Sequence, residues 1–209
     1  RDRLLMTKDA TIAEIHHRVK NSLQTASSLL QLQSRRVATD DAKAALAESA
    51  RRIRTIGVVH ELLSHRTDDE VQFGEVLKML TAMIRDALVD PTRPVEFVID
   101  CDPAILPNNL TTPLALIASE LVQNAIDHAE CTTVTVKLRT QPDAVVLTIS
   151  DDGKGFPNLA EPFPAPDSSG LGMTIVGTIA QSELGGSMTI GDNEPGARII
   201  VRVPLFDER

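Results

Sequence analysis

Two adjacent histidines, His16 and His17, lie in an amphipathic segment near the start of the chain and are its best candidates for nucleophilic chemistry. A neutral imidazole is a good nucleophile near neutral pH, so such a residue can accept a phosphoryl group. The heptad register predicts that His16 faces inward and that His17 points about 100° away from it, which makes His17 the better acceptor. Glu14, one turn earlier, could orient the ring or take its proton, and Asn21, one turn later, could position a water for dephosphorylation. An isolated pair of this kind is more often a solvated pair on a charged helix.

A second cluster of polar residues lies at helical spacing between residues 120 and 128. Glu120, Asn124, Asp127 and His128 fall on or near one face, behind an apolar face of Leu, Ile and Val residues. A carboxylate and an amide one turn apart can hold Mg²⁺, a hard cation that prefers oxygen ligands and keeps several waters. The same pattern is also that of an amphipathic surface helix with ordinary polar residues.

Two glycine-containing turns complete the set of candidate binding residues. The first, Asp151–Gly155, follows an apolar run typical of a buried strand. Asp151 can accept a hydrogen bond from an exocyclic amine such as that of adenine, and Gly153 and Gly155 let the backbone approach a flat ligand closely. The second turn, Gly170–Gly172, opens directly into a helix, where free backbone N–H groups can bind phosphate. Taken alone, each could be only a tight turn or the first turn of a helix.

The histidines must be positioned by the first third of the chain. The sequence pattern of this region predicts two long helices. Apolar or small residues recur alternately every four and three positions from Ile12 to Leu30 and again from Leu46 to Leu63, the spacing of a heptad seam. Between them, Thr39-Asp40-Asp41 is a turn and helix N-cap signal. A lone hairpin cannot close its seam, so we expect two copies to form a four-helix bundle. The alternative is an intramolecular coiled coil that packs on the rest of the chain.

The other candidate residues lie in a second part, in which helix and strand signals are mixed. Its predicted helices are Val71–Leu88, Thr111–Ala129 and about Leu171–Leu184, and its predicted strands are Pro94–Asp100, Thr133–Leu138, Ala144–Ser150, Ser187–Ile190 and Ala197–Val203. The order predicts an α+β domain with helices on one face of a mixed sheet. We expect a helical hairpin over residues 1–66 and a second domain over residues 71–209, joined by a polar linker.

The composition narrows the class of protein. The 209 residues carry a net charge of -8 and include only 2% aromatic residues, so the core is aliphatic and direct nucleic-acid binding is not expected. Cys101 and Cys131 match no metal spacing and no disulfide framework, which favours a reduced, cytoplasmic chain. No apolar run reaches the ~18 residues of a membrane segment. The chain opens on Arg1 without a visible signal peptide, so we expect it to be part of a longer protein whose sensor region lies elsewhere.

The order and separation of these motifs are more specific than any one of them. The Glu120–Asn124 helix, the Asp151 turn and the Gly170–Gly172 turn resemble the N, G1 and G2 boxes of the ATP-binding domain shared by gyrase, Hsp90, histidine kinases and MutL. The run His-His-Arg-Val-Lys-Asn, residues 16–21, resembles the phosphoacceptor helix of sensor histidine kinases in an HWE-like subgroup. From about residue 10 to residue 204 the chain looks like the PdtaS type of cytosolic sensor kinase. The resemblance implies a dimeric four-helix bundle followed by a Bergerat-type α/β sandwich that binds ATP.

The resemblance also implies roles for individual residues. His17 aligns with the phosphorylated histidine, because it directly precedes Arg-Val-Lys-Asn. Asn124 aligns with the asparagine that coordinates Mg²⁺, and Glu120 aligns with the first N-box position, which is the water-activating glutamate in the related ATPases. Asp151 aligns with the aspartate that recognises adenine. The residues that align around the nucleotide are Asp127, His128, Gly153, Gly155, Gly170, Leu171 and Gly172.

These roles imply autophosphorylation of His17 by ATP with Mg²⁺, then transfer to an aspartate on the receiver domain of a response regulator. In the PdtaS-like case the resemblance implies an RNA-binding antiterminator as that regulator. Two alternatives stay open: an ATPase or clamp of the same superfamily, in which Glu120 activates water, and a non-catalytic dimeric scaffold with a degenerate nucleotide pocket. Two departures motivate the scaffold, since Asp127 stands where many kinases have Lys, and Ala197 where Thr is usual.

Overall fold

A computed structural model describes residues 2–64, 70–88, 94–155, 171–191 and 195–205 of the chain. The contacts between residues divide the chain into two compact units, Arg1–Asp69 and Glu70–Arg209. Each unit is described by itself.

The first unit is a hairpin of two long helices, α1 (Asp2–Ser34) and α2 (Asp40–Ser64). The second helix begins directly after Thr39, whose Oγ1 accepts a hydrogen bond from the Ala42 N–H at 3.4 Å. Two aspartates in the first turn of α2 add favourable charge at the positive end of the helix dipole. The predicted turn and N-cap are therefore confirmed.

The two helices meet along small and apolar residues, but one hairpin leaves much of the apolar surface uncovered. Ser27 and Ala50 are buried, and Ser27 Oγ donates to Ala50 O at 3.0 Å. Leu29 and Leu32 are 55% and 52% exposed. The seam positions with described side chains are half-buried, with the exception of Ala50: Val19, Leu23, Ala26, Leu30, Leu46, Ile53, Ile56 and His60. None of the described helices of the chain is long and apolar enough to span a membrane.

The second unit combines a mixed sheet, a short ribbon and helices. Its described elements in chain order are β1 (Glu70–Gln72), α3 (Phe73–Leu88), β2 (Glu96–Cys101), β3 (Ile105–Pro107), α4 (Asn108–His128), β4 (Thr133–Thr140), β5 (Ala144–Asp151), α5 (Leu171–Thr178) with a π-helical continuation (Ile179–Glu183), β6 (Ser187–Ile190) and β7 (Arg198–Pro204). The order of the main sheet is β2-β4-β5-β7-β6, in which β2 is parallel to β4 and the other neighbours are antiparallel. The predicted α+β fold with a mixed sheet is confirmed.

One face of this sheet carries the core of the second unit. Side chains alternate across a strand, so every second residue of β4 and β5 points into the layer beneath α4. The fully buried residues of this layer include Ile117, Leu121, Val122, Val134, Val136, Leu138 and Leu147. Each such side chain stabilises the fold by about 1.5–3 kcal/mol relative to leaving it exposed. The aliphatic core fixes α4 against β4 and β5, and α4 carries the candidate metal-binding residues.

The predicted start of α3 is wrong. Val71 was expected to begin this helix, but it lies in β1, since Glu70–Gln72 pairs antiparallel with Ile105–Pro107. The helix begins at Phe73, whose N–H donates to Ala104 O at 2.9 Å. This contact joins segments about 30 residues apart in the chain, so it forms only in the folded structure. It therefore overrides the local helical pattern.

Two other helices differ from their predicted ends, while the strands agree closely. The helix α4 begins at Asn108, one turn before the predicted Thr111. The last helix becomes π-helical at Ile179, where Leu184 N donates to Ile179 O at 3.1 Å instead of to the residue four positions back. All five strands of the main sheet lie within two residues of their predicted ends.

Candidate functional site

The helix α4 holds the predicted metal-binding side chains at the edge of the buried layer. Glu120 is only 5% exposed, and Asn124, one turn later, is half-buried. They take this position because Ile117 and Leu121 anchor the apolar face of α4 in the core. A carboxylate is costly to bury unless hydrogen bonds or a cation compensate it, so its burial at this place is typical of a functional group.

The first turn of α5 approaches these two side chains closely. A Cβ atom added at Gly172 would lie 3.0 Å from Glu120 Oε2 and 3.6 Å from Asn124 Oδ1. Glycine therefore lets the backbone of α5 come nearer to α4 than a larger residue would allow. The structure brings together Glu120, Asn124 and Gly172, which the sequence had placed in two separate motifs.

A methionine next to Gly172 contacts the amide of Asn124. The Nδ2 of Asn124 donates to the Sδ of Met173 at 3.1 Å, and Met173 is 7% exposed. Sequence reasoning missed this residue, because a methionine on an apolar helix face predicts core packing and nothing more.

The predicted adenine-binding carboxylate, Asp151, ends β5 and is 9% exposed. Its Oδ1 accepts hydrogen bonds from the N–H groups of Gly153 at 2.9 Å and Ala197 at 3.3 Å. Burial raises the pKa of Asp151 above its usual value, and the two N–H groups oppose that shift. A carboxylate has about four acceptor positions, so these two bonds leave capacity for a donor on a ligand.

The neighbouring Asp152 has a structural role. Its Oδ1 accepts hydrogen bonds from the N–H groups of Thr132 at 2.7 Å and Thr133 at 2.9 Å, and its Oδ2 accepts one from Thr132 Oγ1 at 2.5 Å. Burial opposes its ionisation, but the hydrogen bonds outweigh burial and lower the pKa of Asp152 to about 2. These bonds tie the turn after β5 to the start of β4, which holds Asp151 in place.

Two further residues of the predicted nucleotide set lie at the edges of this site. Asp127 is exposed, and its Oδ2 accepts a hydrogen bond from Gln123 Nε2 at 3.0 Å. Gly155 is half-exposed, with a φ of +66° that glycine adopts readily. The Lys154 N–H before it donates to Ala129 O at 2.8 Å, which fixes the turn against the end of α4.

Some predicted residues cannot be placed in this site. Gly170 lies outside the described residues, and so do the side chains of His128 and Leu171. The backbone of Leu171 begins α5.

The candidate acceptor lies in the other unit of the chain. The backbones of Glu14, His16 and His17 belong to α1, but their side chains lie outside the described part of the chain. Asn21 is exposed, and its backbone oxygen accepts a hydrogen bond from Thr25 Oγ1 at 2.9 Å. The prediction that His17 faces away from the seam therefore stays a prediction.

Two protein-family matches cover most of the chain. Residues 14–88 match the family described as histidine kinase, and residues 109–207 match the family described as histidine kinase-, DNA gyrase B- and HSP90-like ATPase. The chain belongs to the histidine kinases. The first match includes His17, and the second includes Glu120, Asn124, Asp151 and Gly172.

This histidine kinase is similar to curated relatives over almost its entire length. The sensor histidine kinase PdtaS of Mycobacterium tuberculosis is 40% identical over an alignment of 212 positions, which covers 98% of this chain and 41% of that protein. The PdtaS of Mycolicibacterium smegmatis is 39% identical over an alignment of 211 positions, which covers 98% of this chain and 42% of that protein. The predicted likeness to the PdtaS type is confirmed. The chain spans about two fifths of the length of these relatives.

A solved structure has the same fold as this histidine kinase. The blue-light activated histidine kinase of Erythrobacter litoralis is 22% identical and matches with a TM-score of 0.66, covering 95% of this chain and 63% of that one. The match covers 95% of the chain, so the order of a helical hairpin followed by an α/β sheet unit is also that of this solved structure.

The oxygen atoms at the centre of the site of this histidine kinase fit a magnesium ion. Glu120 Oε2 and both amide atoms of Asn124 lie within 4 Å of the Cβ position of Gly172, so a carboxylate and a carboxamide border one small region. Mg²⁺ is usually bound by one or two protein oxygens together with waters and substrate phosphates. Among the described residues no group of three or more His, Cys, Asp and Glu side chains could hold a metal ion.

Proposed function

We propose that this chain is the catalytic core of a two-component sensor histidine kinase, which phosphorylates His17 with ATP and passes the phosphoryl group to an aspartate of a response regulator. The observation that carries this proposal is the close approach of Gly172 to Glu120 and Asn124 in the unit that also buries Asp151. A phosphate-binding turn, two oxygen ligands and an amine acceptor are the groups that a site for ATP requires. The family membership of the chain and the histidine pair in α1 support the choice of His17 as the phosphoryl acceptor.

The two units take the two parts of this function. We assign residues 1–66 to dimerisation and phosphotransfer and residues 71–209 to ATP binding. Asp151 accepts a hydrogen bond from the adenine amine, and the backbone of Gly153 and Gly155 lies along the base. The N–H groups at the start of α5, with Gly170 and Gly172, bind the phosphates, because a helix N-terminus offers unpaired N–H groups and a positive dipole end.

Phosphoryl transfer to His17 needs a neutral imidazole. One ring nitrogen attacks the γ-phosphorus, a P–N bond forms, and the bond from phosphorus to the β–γ bridging oxygen breaks, so ADP leaves with the electron pair. The ring of the phosphohistidine then loses a proton, which Glu14 can accept. Asn124 and Glu120 would hold Mg²⁺, which when bound neutralises charge on the phosphates.

The partners follow from the same proposal. The exposed Leu29 and Leu32 and the half-buried seam support a homodimer in which two hairpins form a four-helix bundle. The phosphohistidine then donates its phosphoryl group to an aspartate in the receiver domain of a response regulator. In the PdtaS-like case that regulator is an RNA-binding antiterminator. We place the reaction in the cytoplasm, where ATP and such a regulator meet. Asn21, one turn after His17, is the group that positions water when the phosphoryl group is hydrolysed.

The test is incubation of the chain with γ-labelled ATP and Mg²⁺. We expect acid-labile, base-stable label on the wild type and on His16→Gln, and none on His17→Gln. The neighbouring substitution is the matched control, because it changes the same helix turn by the same chemistry. Label that persists in His17→Gln would reject the assigned acceptor, and ATP hydrolysis without any labelled protein would favour an ATPase of the same superfamily.

A further inference from the structure

The amide of Asn124 has a partner that the kinase chemistry does not require. Its Nδ2 donates to the Sδ of Met173 at 3.1 Å, and the thioether is 7% exposed in the layer between α4 and α5. The two residues belong to different helices, so the contact exists only when α5 is packed against α4.

A sulfur atom at this place selects one orientation of the amide. An asparagine side chain can rotate by 180° and exchange its oxygen and nitrogen with almost no change in shape. A thioether has no proton to donate, so it can accept from Nδ2 but is repelled by Oδ1. Met173 therefore favours the orientation in which Nδ2 faces the sulfur.

The orientation matters because the amide also borders the region next to Gly172. Asn124 Oδ1 and Nδ2 would lie 3.6 Å and 3.7 Å from a Cβ at Gly172, and Glu120 Oε2 would lie 3.0 Å from it. An amide oxygen can bind a cation beside the carboxylate, whereas an NH₂ group at the same position would be repelled by the cation. Which amide atom is available thus decides whether Asn124 is a ligand.

We propose that Met173 is a positioning residue that orients the carboxamide of Asn124, so that Oδ1 is available to the metal that accompanies the nucleotide. This inference rests on the proposed function, since it refines the same ATP site. Met173 directly follows Gly172, so one turn of α5 both makes room for the ligands and aligns one of them. The packing of α5 against α4 and the orientation of the Asn124 carboxamide are therefore coupled.

The experiment compares ADP affinity at saturating Mg²⁺ with ADP affinity in EDTA, measured by calorimetry on the whole chain. The variant is Met173→Leu, which keeps the volume and removes the acceptor. Met188→Leu is the matched control, because Met188 is 9% exposed and lies in β6, the edge strand of the sheet in the same unit. We expect the gain in ADP affinity on adding Mg²⁺ to shrink by about 3- to 10-fold in Met173→Leu, as for a lost hydrogen bond. Affinity in EDTA and both values for Met188→Leu should stay at the wild-type level.

A double-mutant cycle separates positioning from packing. In an Asn124→Ala background there is no amide to orient, so Met173→Leu should have no further effect on the Mg²⁺ dependence. The inference is overturned if Met173→Leu keeps the wild-type dependence, or if it weakens ADP binding equally with and without Mg²⁺. A wild-type chain that binds no ADP in either condition would instead reject the proposed function itself.

Discussion

The carboxylate of Asp151 lies where the fold makes its charge unfavourable. It ends a buried strand and is 9% exposed, and burial raises its pKa. A group whose pKa is raised in the folded state adds stability only at low pH and loses that contribution as the pH rises through the folded pKa. At neutral pH the ionised Asp151 therefore costs stability, which is a reason to expect that it is kept for binding.

The substitution Asp151→Asn distinguishes the effect of the Asp151 charge on stability from its effect on nucleotide binding. The amide oxygen can still accept from Gly153 and Ala197, but the charge that we propose receives the adenine amine is gone. We expect ADP affinity to fall by about 10- to 100-fold, the range for a hydrogen bond to a charged acceptor. The melting temperature at pH 7 should not fall, and any gain over the wild type should shrink as the pH is lowered toward the normal pKa of an aspartate. Calorimetry with ADP and thermal unfolding between pH 4 and 7 measure both.

A clear fall in melting temperature at pH 7 would contradict this prediction. It would mean that the charge of Asp151 stabilises the turn, and a weaker ADP complex could then reflect damage to the fold.

The candidate residues that the sequence predicts are those whose chemistry is unusual for their position. Glu120, Asn124 and Asp151 are polar groups within apolar helix or strand patterns, and in the structure Glu120 and Asp151 are buried and Asn124 is half-buried. Met173 could not be predicted, because a methionine on an apolar face has no local signal for a contact with an amide 49 positions away. Its role depends on how two helices pack.

At the scale of the elements, the strands were more predictable than the ends of the helices. In strands β4 and β5 buried residues alternate with more accessible ones over most of their length, and this period-two pattern is local. The ribbon of β1 and β3 has three residues a strand, too few for a pattern, and it forms only because the fold brings the two segments together. The π-helical continuation of α5 likewise depends on tertiary packing.

The close approach of Gly196, just before β7, to the end of β5 allows a prediction at the scale of the elements. Gly196, just before β7, has a φ of +78°, and a Cβ atom there would lie 1.9 Å from Asp151 O. Gly196→Ala therefore meets both backbone strain and a clash, and we expect it to lower the free energy of unfolding by about 2–4 kcal/mol. Gly185 is the matched control, since its φ of +58° is similar but no atom lies within 4 Å of its Cβ position. Gly185→Ala should cost about 1 kcal/mol from strain alone.

Denaturant unfolding of the two variants is the measurement. Equal losses would mean that the close approach of Gly196 to Asp151 relaxes without cost, and that β7 is not held firmly against the end of β5.

At the scale of the whole molecule, the chain consists of two units that differ in how their apolar surface is covered. We propose that a second copy covers the apolar surface of the hairpin, in which Leu29 and Leu32 are exposed. The sheet unit has a core of its own within Glu70–Arg209. The heptad spacing and the change to mixed helix and strand signals predict two parts, because each pattern is periodic over many residues.

This division predicts that residues 70–209 fold and bind ADP without the hairpin. Every contact that we place around the nucleotide, from Glu120 and Asn124 to Gly172 and from Asp151 to Ala197, lies inside that unit. We expect its ADP affinity, measured by calorimetry, to be within about 2-fold of the value for the whole chain, as for a domain with its own core. The same fragment carrying Asp151→Asn is the control and should bind more weakly. If the fragment folds but loses ADP, the hairpin contributes to the nucleotide site, and the assignment of ATP binding to the second unit alone is wrong.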